Sequence, residues 1–194
     1  MSGFRHLGER EVHRGHIWHV VVAGYEAPDG TRFERDVVRS PGSVGVVPVG
    51  FDPEGNAAVT LVRQYRPALD RWLLEIPAGM RDVPGEPPEE TARRELAEEA
   101  GVRAGRLELL TAFESSAGMT DSVCHVFLGT HLEPVAQQLH GPEEREMELV
   151  VLPLADAVAG VRAGTITDAK TVIGLLLAER RLTAADGFEI EPQP

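Results

Sequence analysis

At 194 residues the chain is long enough for one sizeable domain with a small N-terminal appendage and too short for two full ones. A hydrophobic share of 42% and a charged share of 26% exclude a disordered chain, and a formal net charge of -12 sets the surface against polyanions, which argues against nucleic-acid binding through phosphate contacts. An anionic substrate would then need divalent cations to reconcile the two charges locally. No apolar run approaches the roughly 18 residues of a membrane-spanning helix, and the opening MSGFRHLGEREVHRGH lacks the apolar core of a signal peptide, so a cytoplasmic, membrane-free protein is expected. Cys124, the only cysteine, excludes an intramolecular disulfide and a cysteine metal cluster and reads as a buried, inert thiol.

In chain order, residues 17–25 (IWHVVVAGY) and 32–38 (RFERDVV) read as two strands joined by the turn signal Ala27-Pro28-Asp29-Gly30, a β-hairpin. His13, His16 and His19 recur at intervals that would align metal ligands on a helix. The β-branched run that follows favours a strand, on which they form no tripod. From Ser43 an apolar run, a turn at residues 52–56 (DPEGN) and a second apolar run predict a longer, central hairpin, with Arg63 and Arg66 flanking Gln64 and Tyr65 at its far end. These arginines read either as solvated strand ends or as a clamp for phosphate or carboxylate. Residues 72–77 (WLLEIP) predict a short strand, and 107–114 and 122–131 two further strands joined by SSAGMTD. Residues 141–148 (GPEEREME) predict an acidic loop, 149–152 a strand, 155–162 and 170–181 helices, and 186–194 a tail. Irregular interleaving of strands and helices indicates an α+β class, an α/β sandwich with a mixed sheet.

The most informative stretch is residues 79–102, GMRDVPGEPPEETARRELAEEAGV, a glycine- and proline-rich loop followed by a helix. Pro87-Pro88 starts that helix and Gly101 ends it. At about 100° per residue, Glu95, Glu98 and Glu99 fall within about 100° of one another, beside a small-residue stripe of Ala92, Leu96 and Ala100. Like charges at this spacing, near the helix C-terminus, destabilise the helix unless something cationic binds. Carboxylate and carbonyl oxygens suit Mg2+ or Mn2+, which share their shell with substrate phosphates. The chemistry implied is attack of water on phosphorus.

Glu86, Arg94, Glu95, Leu96, Glu98, Glu99, Gly101 and Val102 match at the correct spacing a signature written G-x5-E-x7-R-E-U-x-E-E-x-G-U, and the stretch resembles the Nudix box. One departure is that six residues, not five, separate Gly79 from Glu86; the extra residue can be absorbed in the loop or can shift Ala78-Gly79. The Gln64-Tyr65-Arg66 stretch, the EIPAG run at residues 75–79, the N-terminal hairpin and the late acidic loop are similar to bacterial ADP-ribose pyrophosphatases of this superfamily. The resemblance implies Glu95, Glu99 and the Ala78 carbonyl as Mg2+ ligands (Mn2+ in place of Mg2+), Glu98 as a further or water-mediated ligand, and Arg94 as the residue that orients the glutamates. It implies a base in the acidic loop, Glu144 ahead of Glu143 and Glu146. It also implies substrate contacts from Trp18, Arg35, Arg66 and Met119, and a homodimer that exchanges the N-terminal hairpin. Trp18 alternatively reads as plain core.

The organisation expected is therefore residues 1–40 as a dimer-forming β extension, 41–185 as the hydrolase domain and 186–194 as the tail. The expected activity is hydrolysis of the diphosphate of ADP-ribose to AMP and ribose 5-phosphate. Alternatives are another nucleoside diphosphate derivative, because Ala117 replaces a proline common in ADP-ribose pyrophosphatases, or a non-catalytic nucleotide sensor, which the intact set of box carboxylates disfavours.

Overall fold

The computed structural model describes residues 3–52 and 54–184; the tail expected at 186–194 lies outside the described residues. The chain divides into two compact units. One holds the described residues up to Gly42 together with Phe113–Val123, and the other holds Ser43–Ala112 and the described residues from Cys124 onward.

The first unit is a three-stranded antiparallel sheet of β1 (Arg5–Arg14), β2 (His19–Glu26) and β3 (Arg32–Arg39), in that order. The β2–β3 turn is the one its sequence demands: Asp29 accepts the Thr31 N–H at 2.9 Å, and Gly30 supplies a φ of 85°. The sequence predicts two strands here, and the structure adds β1. Every residue of β1 is exposed, and Gly8, at φ 117° beside a break in register, interrupts any alternation. The strand is therefore specified by backbone pairing to β2 and carries no apolar period to read. Residues 113–123 follow β3: Val38 N–H donates to the Met119 carbonyl at 2.9 Å, Thr120 Oγ1 donates to the Val38 carbonyl at 2.8 Å, and Arg39 joins Glu9 to Asp121.

The second unit is built on β4 (Ser43–Phe51), whose residues 44–49 are all buried. A strand with both faces covered has to be continuously apolar, and Val44-Gly45-Val46-Val47-Pro48-Val49 is. β4 pairs in parallel with β9 (Val123–Pro134), pairs with β5 (Ala57–Arg66) only near their shared turn, and pairs at its start with the short β7 (Ala78–Met80). β10 (Glu148–Pro153) and β8 (Val102–Glu114) complete the order β10-β5-β4-β9-β8, with β6 (Arg71–Glu75) on β5 and β7 on β4, a seven-stranded mixed sheet. The acidic segment expected as a loop instead forms a five-residue helix, α2 (Gly141–Arg145), ahead of β10.

The two faces of β4 are covered by different helices. Val44 and Val46 pack with Ala92, Leu96 and Ala100 of α1 (Pro88–Ala100) and with Ala104 and Phe127. This is the stripe read from the sequence, and burial of Leu96 contributes roughly 2 kcal/mol. On the other face Gly174 of α4 (Ala169–Thr183) approaches so closely that a Cβ would lie 2.9 Å from Val47 Cγ2. α3 (Leu154–Arg162) buries Leu154, Ala157 and Val158 and packs against α4 and β5. The result is the expected α/β/α sandwich with an N-terminal antiparallel sheet.

Candidate active site

The site begins where β7 passes α1. Ala78 and Gly79 sit opposite Gly45 and Val44, and the Glu95 carboxylate fills the space a side chain at Gly79 would need: an added Cβ would lie 2.0 Å from its Cδ and 2.2 and 2.3 Å from its two oxygens. Ala78 N–H donates to Glu99 Oε2 at 2.8 Å. The structure thus brings Ala78, Glu95 and Glu99 together. The extra residue between Gly79 and Glu86 is taken up in the loop between β7 and α1, where Gly85 adopts φ 80° and both flanking elements stay regular.

Arg94 is the cationic hub of this helix. Its guanidinium meets Glu95 at 2.7 Å, Glu98 at 3.3 Å, Glu86 at 3.4 Å and Asp82 at 3.6 Å. Glu86 also accepts the Thr91 hydroxyl at 2.7 Å. Even so, both key acids are under-compensated. Burial lifts the Glu95 carboxyl to about 7, against the pull of Arg94 and with a further push from Glu98 and Asp82. Glu99, 5% exposed, rises to about 8 through burial. The Ala78 N–H opposes that rise, and the charges of Glu95 and Glu144 add to it.

Glu144 is therefore close enough for Glu99 to feel its charge. It is half-buried on α2 and accepts the His140 N–H at 2.5 Å. Glu146 is exposed beyond the helix, and the side chain of Glu143 lies outside the described residues. Residues 135–138 lead from β9 toward α2, and they satisfy carbonyls at the C-terminal end of α1: Val135 N–H bonds the Gly101 carbonyl at 2.9 Å, Gln138 N–H bonds the Glu98 carbonyl at 3.1 Å, and the Gln137 side chain bonds the Glu99 carbonyl. Sequence reasoning missed this tether, because nothing in a Gln-Gln pair indicates which carbonyls it will meet.

Among the described residues no three His, Cys, Asp or Glu side chains form a closed metal cage. What the structure places together is the carboxylates of Glu95 and Glu99 at Gly79 and Ala78, hard oxygen donors that would make only a partial shell and leave room for water and phosphate. Glycine at position 79, which opens the space for one carboxylate, and two mutually repelling buried acids both fit a divalent cation.

Arg66 lies at the end of β5, locked fork-to-fork on Glu75 at 2.7 Å through both Nε and Nη2. Its charge is felt at Glu99. The other predicted contacts belong to the first unit. Trp18 is 53% exposed, so it is no core residue of that sheet. Arg35 stacks its guanidinium 4.7 Å from the centre of the Phe33 ring and donates to the Glu34 carbonyl. Arg35 and Met119 line one cavity of about 570 Å3 together with Phe4, Tyr25 and Phe33, and Trp18 does not line it.

Known proteins resemble this chain in sequence and in fold. The chain is 35% identical over 169 residues to an ADP-ribose pyrophosphatase of Bacillus subtilis (strain 168), covering 87% of this chain and 89% of that protein. It is 34% identical over 191 residues to an ADP-ribose pyrophosphatase of Mycobacterium tuberculosis (strain ATCC 25618 / H37Rv), covering 98% and 88%. A solved ADP compounds hydrolase superposes with a TM-score of 0.78 over 94% of this chain and 95% of that one, at 24% identity, a likeness of fold. The NUDIX domain family model matches residues 40–173, and the chain belongs to that family as a Nudix hydrolase.

Proposed function

We propose that the protein hydrolyses ADP-ribose to AMP and ribose 5-phosphate with Mg2+, replaceable by Mn2+, held by Glu95, Glu99 and the Ala78 carbonyl. The observation that carries the reading is the pair of buried, mutually repelling carboxylates at Gly79 and Ala78, raised to about 7 and about 8. A bound divalent cation supplies Lewis-acid polarisation of the diphosphate and lowers the pKa of water. Glu144 takes a proton from the attacking water as its oxygen bonds to phosphorus and the bridging P–O bond breaks, releasing the two monophosphates. Arg94 holds Glu95 and Glu98 in register from behind, and Arg66 offers charge to the diphosphate.

The substrate is supported by the two relatives named ADP-ribose pyrophosphatase. Trp18, Arg35 and Met119 as substrate contacts, a homodimer, and a cytoplasmic setting complete the proposal, with residues 1–40 as the dimer-forming extension. Ala117, in place of the common proline, favours one second reading, hydrolysis of a related nucleoside diphosphate derivative. The test is a panel of diphosphates assayed with Mg2+ for nucleoside monophosphate release. ADP-ribose is expected to show the highest kcat/KM, and equal turnover of ADP-glucose would overturn the choice of substrate.

A further inference from the structure

Among the described residues, Glu75 is the most completely enclosed acid outside the box, 1% exposed at the end of β6. Arg66 holds it with two hydrogen bonds of 2.7 Å, and Lys170 from the first turn of α4 binds the same Oε2. Lys170 also bonds Asp168 at 3.0 Å, and Asp168 caps α4 through the N–H and hydroxyl of Thr171 at 3.0 and 2.6 Å. Thr171 Oγ1 in turn accepts the N–H of Ile76 at 2.9 Å. Two acids and two cations close on themselves, and the α4 N-terminus thereby grips the chain at Glu75 and Ile76, one residue short of the Pro77-Ala78 step. The stem of Lys170 lies against Gly45, where a Cβ would come within 3.7 Å of Lys170 Cδ and 2.9 Å of Ile76 Cδ1.

A guanidinium has five N–H groups in a fixed plane. Glu75 takes two of them, which fixes that plane and leaves the rest of a side chain that is still 37% exposed. We propose that Glu75, itself held by Lys170, is a positioning residue that presents Arg66 to the diphosphate of the substrate. Neither Glu75 nor Lys170 touches substrate; both act through Arg66. The inference rests on the reading above that Arg66 meets the diphosphate.

The test uses Lys170→Met, which leaves Arg66 and Glu75 matched in charge, with Lys170→Arg as the conservative control. On whichever diphosphate the enzyme turns over, Lys170→Met raises KM about tenfold and leaves kcat within about threefold, and Lys170→Arg restores KM. In 1H–15N spectra the Arg66 Nε–H signal, assigned by its disappearance in Arg66→Lys, is protected from solvent exchange in the native protein and in Glu99→Gln, and loses that protection in Lys170→Met. Unchanged KM, a fall in kcat that only tracks lost folded protein, or an Arg66 Nε–H that exchanges freely in the native protein each overturns the proposal. A native enzyme that turns over no diphosphate overturns the functional reading instead, and the exchange measurement still decides whether Glu75 and Lys170 hold Arg66.

Discussion

Two buried glutamates in the same unit, Glu75 and Glu99, differ little in exposure, 1% against 5%, yet their chemistry is opposite. Burial pushes Glu75 toward its neutral form, but the hydrogen bonds and charges of Arg66 and Lys170 outweigh it and hold the carboxyl below its ordinary value. Glu99 is also buried, has one backbone N–H and the charge of Arg66 for help and Glu95 and Glu144 as like-charged neighbours, and it rises to about 8. Burial sets the size of the electrostatic problem and the partners set its sign. Glu75 is a finished internal salt bridge, whereas Glu95 and Glu99 form an incomplete arrangement that a cation would complete.

The sharpest way to break this contrast is to neutralise each acid in turn. Glu99→Gln removes a proposed ligand charge, and turnover should fall by at least about a thousandfold. The metal-free protein should not be weakened, because the glutamine carbonyl still accepts the Ala78 N–H and a poorly compensated charge has left the interior. Steady-state kinetics with parallel urea unfolding measures both, and near-native turnover would remove Glu99 from the metal site. Glu75→Gln should do the reverse. It leaves Arg66 and Lys170 facing a neutral group, and the folded state should lose about 3 kcal/mol. A loss under about 0.5 kcal/mol would show that the buried pair is not the anchor its geometry indicates.

Gly79→Ala probes the same site through shape. The new methyl would fall where the Glu95 carboxylate now sits, so Glu95 must move away from β7. Mg2+ affinity, followed by titrating activity against free Mg2+, should weaken about 10- to 100-fold, with the Leu96 face of α1 still packed on the sheet. A variant with native Mg2+ dependence would mean that this contact is not how Glu95 is aimed.

The contrast also marks what the sequence makes legible. Glu98 and Glu99 lie three and four residues beyond Glu95 along the helix, so their common face follows from 3.6-residue periodicity, and Ala92, Leu96 and Ala100 were legible as the packing stripe for the same reason. The continuous apolar run of β4 likewise announces a strand covered on both sides. Glu75 and Lys170 are 95 residues apart, and no local period links them; only the placement of α4 on the face of β4 that carries Gly45 brings them together. β1 was hidden because all of its side chains are exposed. The short helix α2 was hidden inside a run of charges whose local pattern favours neither helix nor loop.

The smallest effect expected, and the one most specific to the comparison, is a pair of opposed pH slopes. Glu95 and Glu99 have folded values of about 7 and about 8 against an ordinary 4.5. Below about pH 4.5 these groups are protonated in both folded and unfolded chains, and their cost is absent. Between about 4.5 and 8 the unfolded chain has released protons that the folded chain still binds, so stability falls as pH rises. Glu75, held below 4.5 when folded, contributes in the opposite direction: its stabilisation is present above about 4.5 and is lost as pH falls through its lowered value. With Mg2+ held, as proposed, by the deprotonated pair, the rise in Tm on adding saturating Mg2+ should be small at pH 5 and larger by about 4–8 °C at pH 8. Glu99→Gln should flatten that difference and leave the acid-side loss due to Glu75 intact. Equal Mg2+ shifts at pH 5 and pH 8, measured by thermal unfolding with and without chelator, would mean that Glu95 and Glu99 are not the groups whose charge the cation relieves.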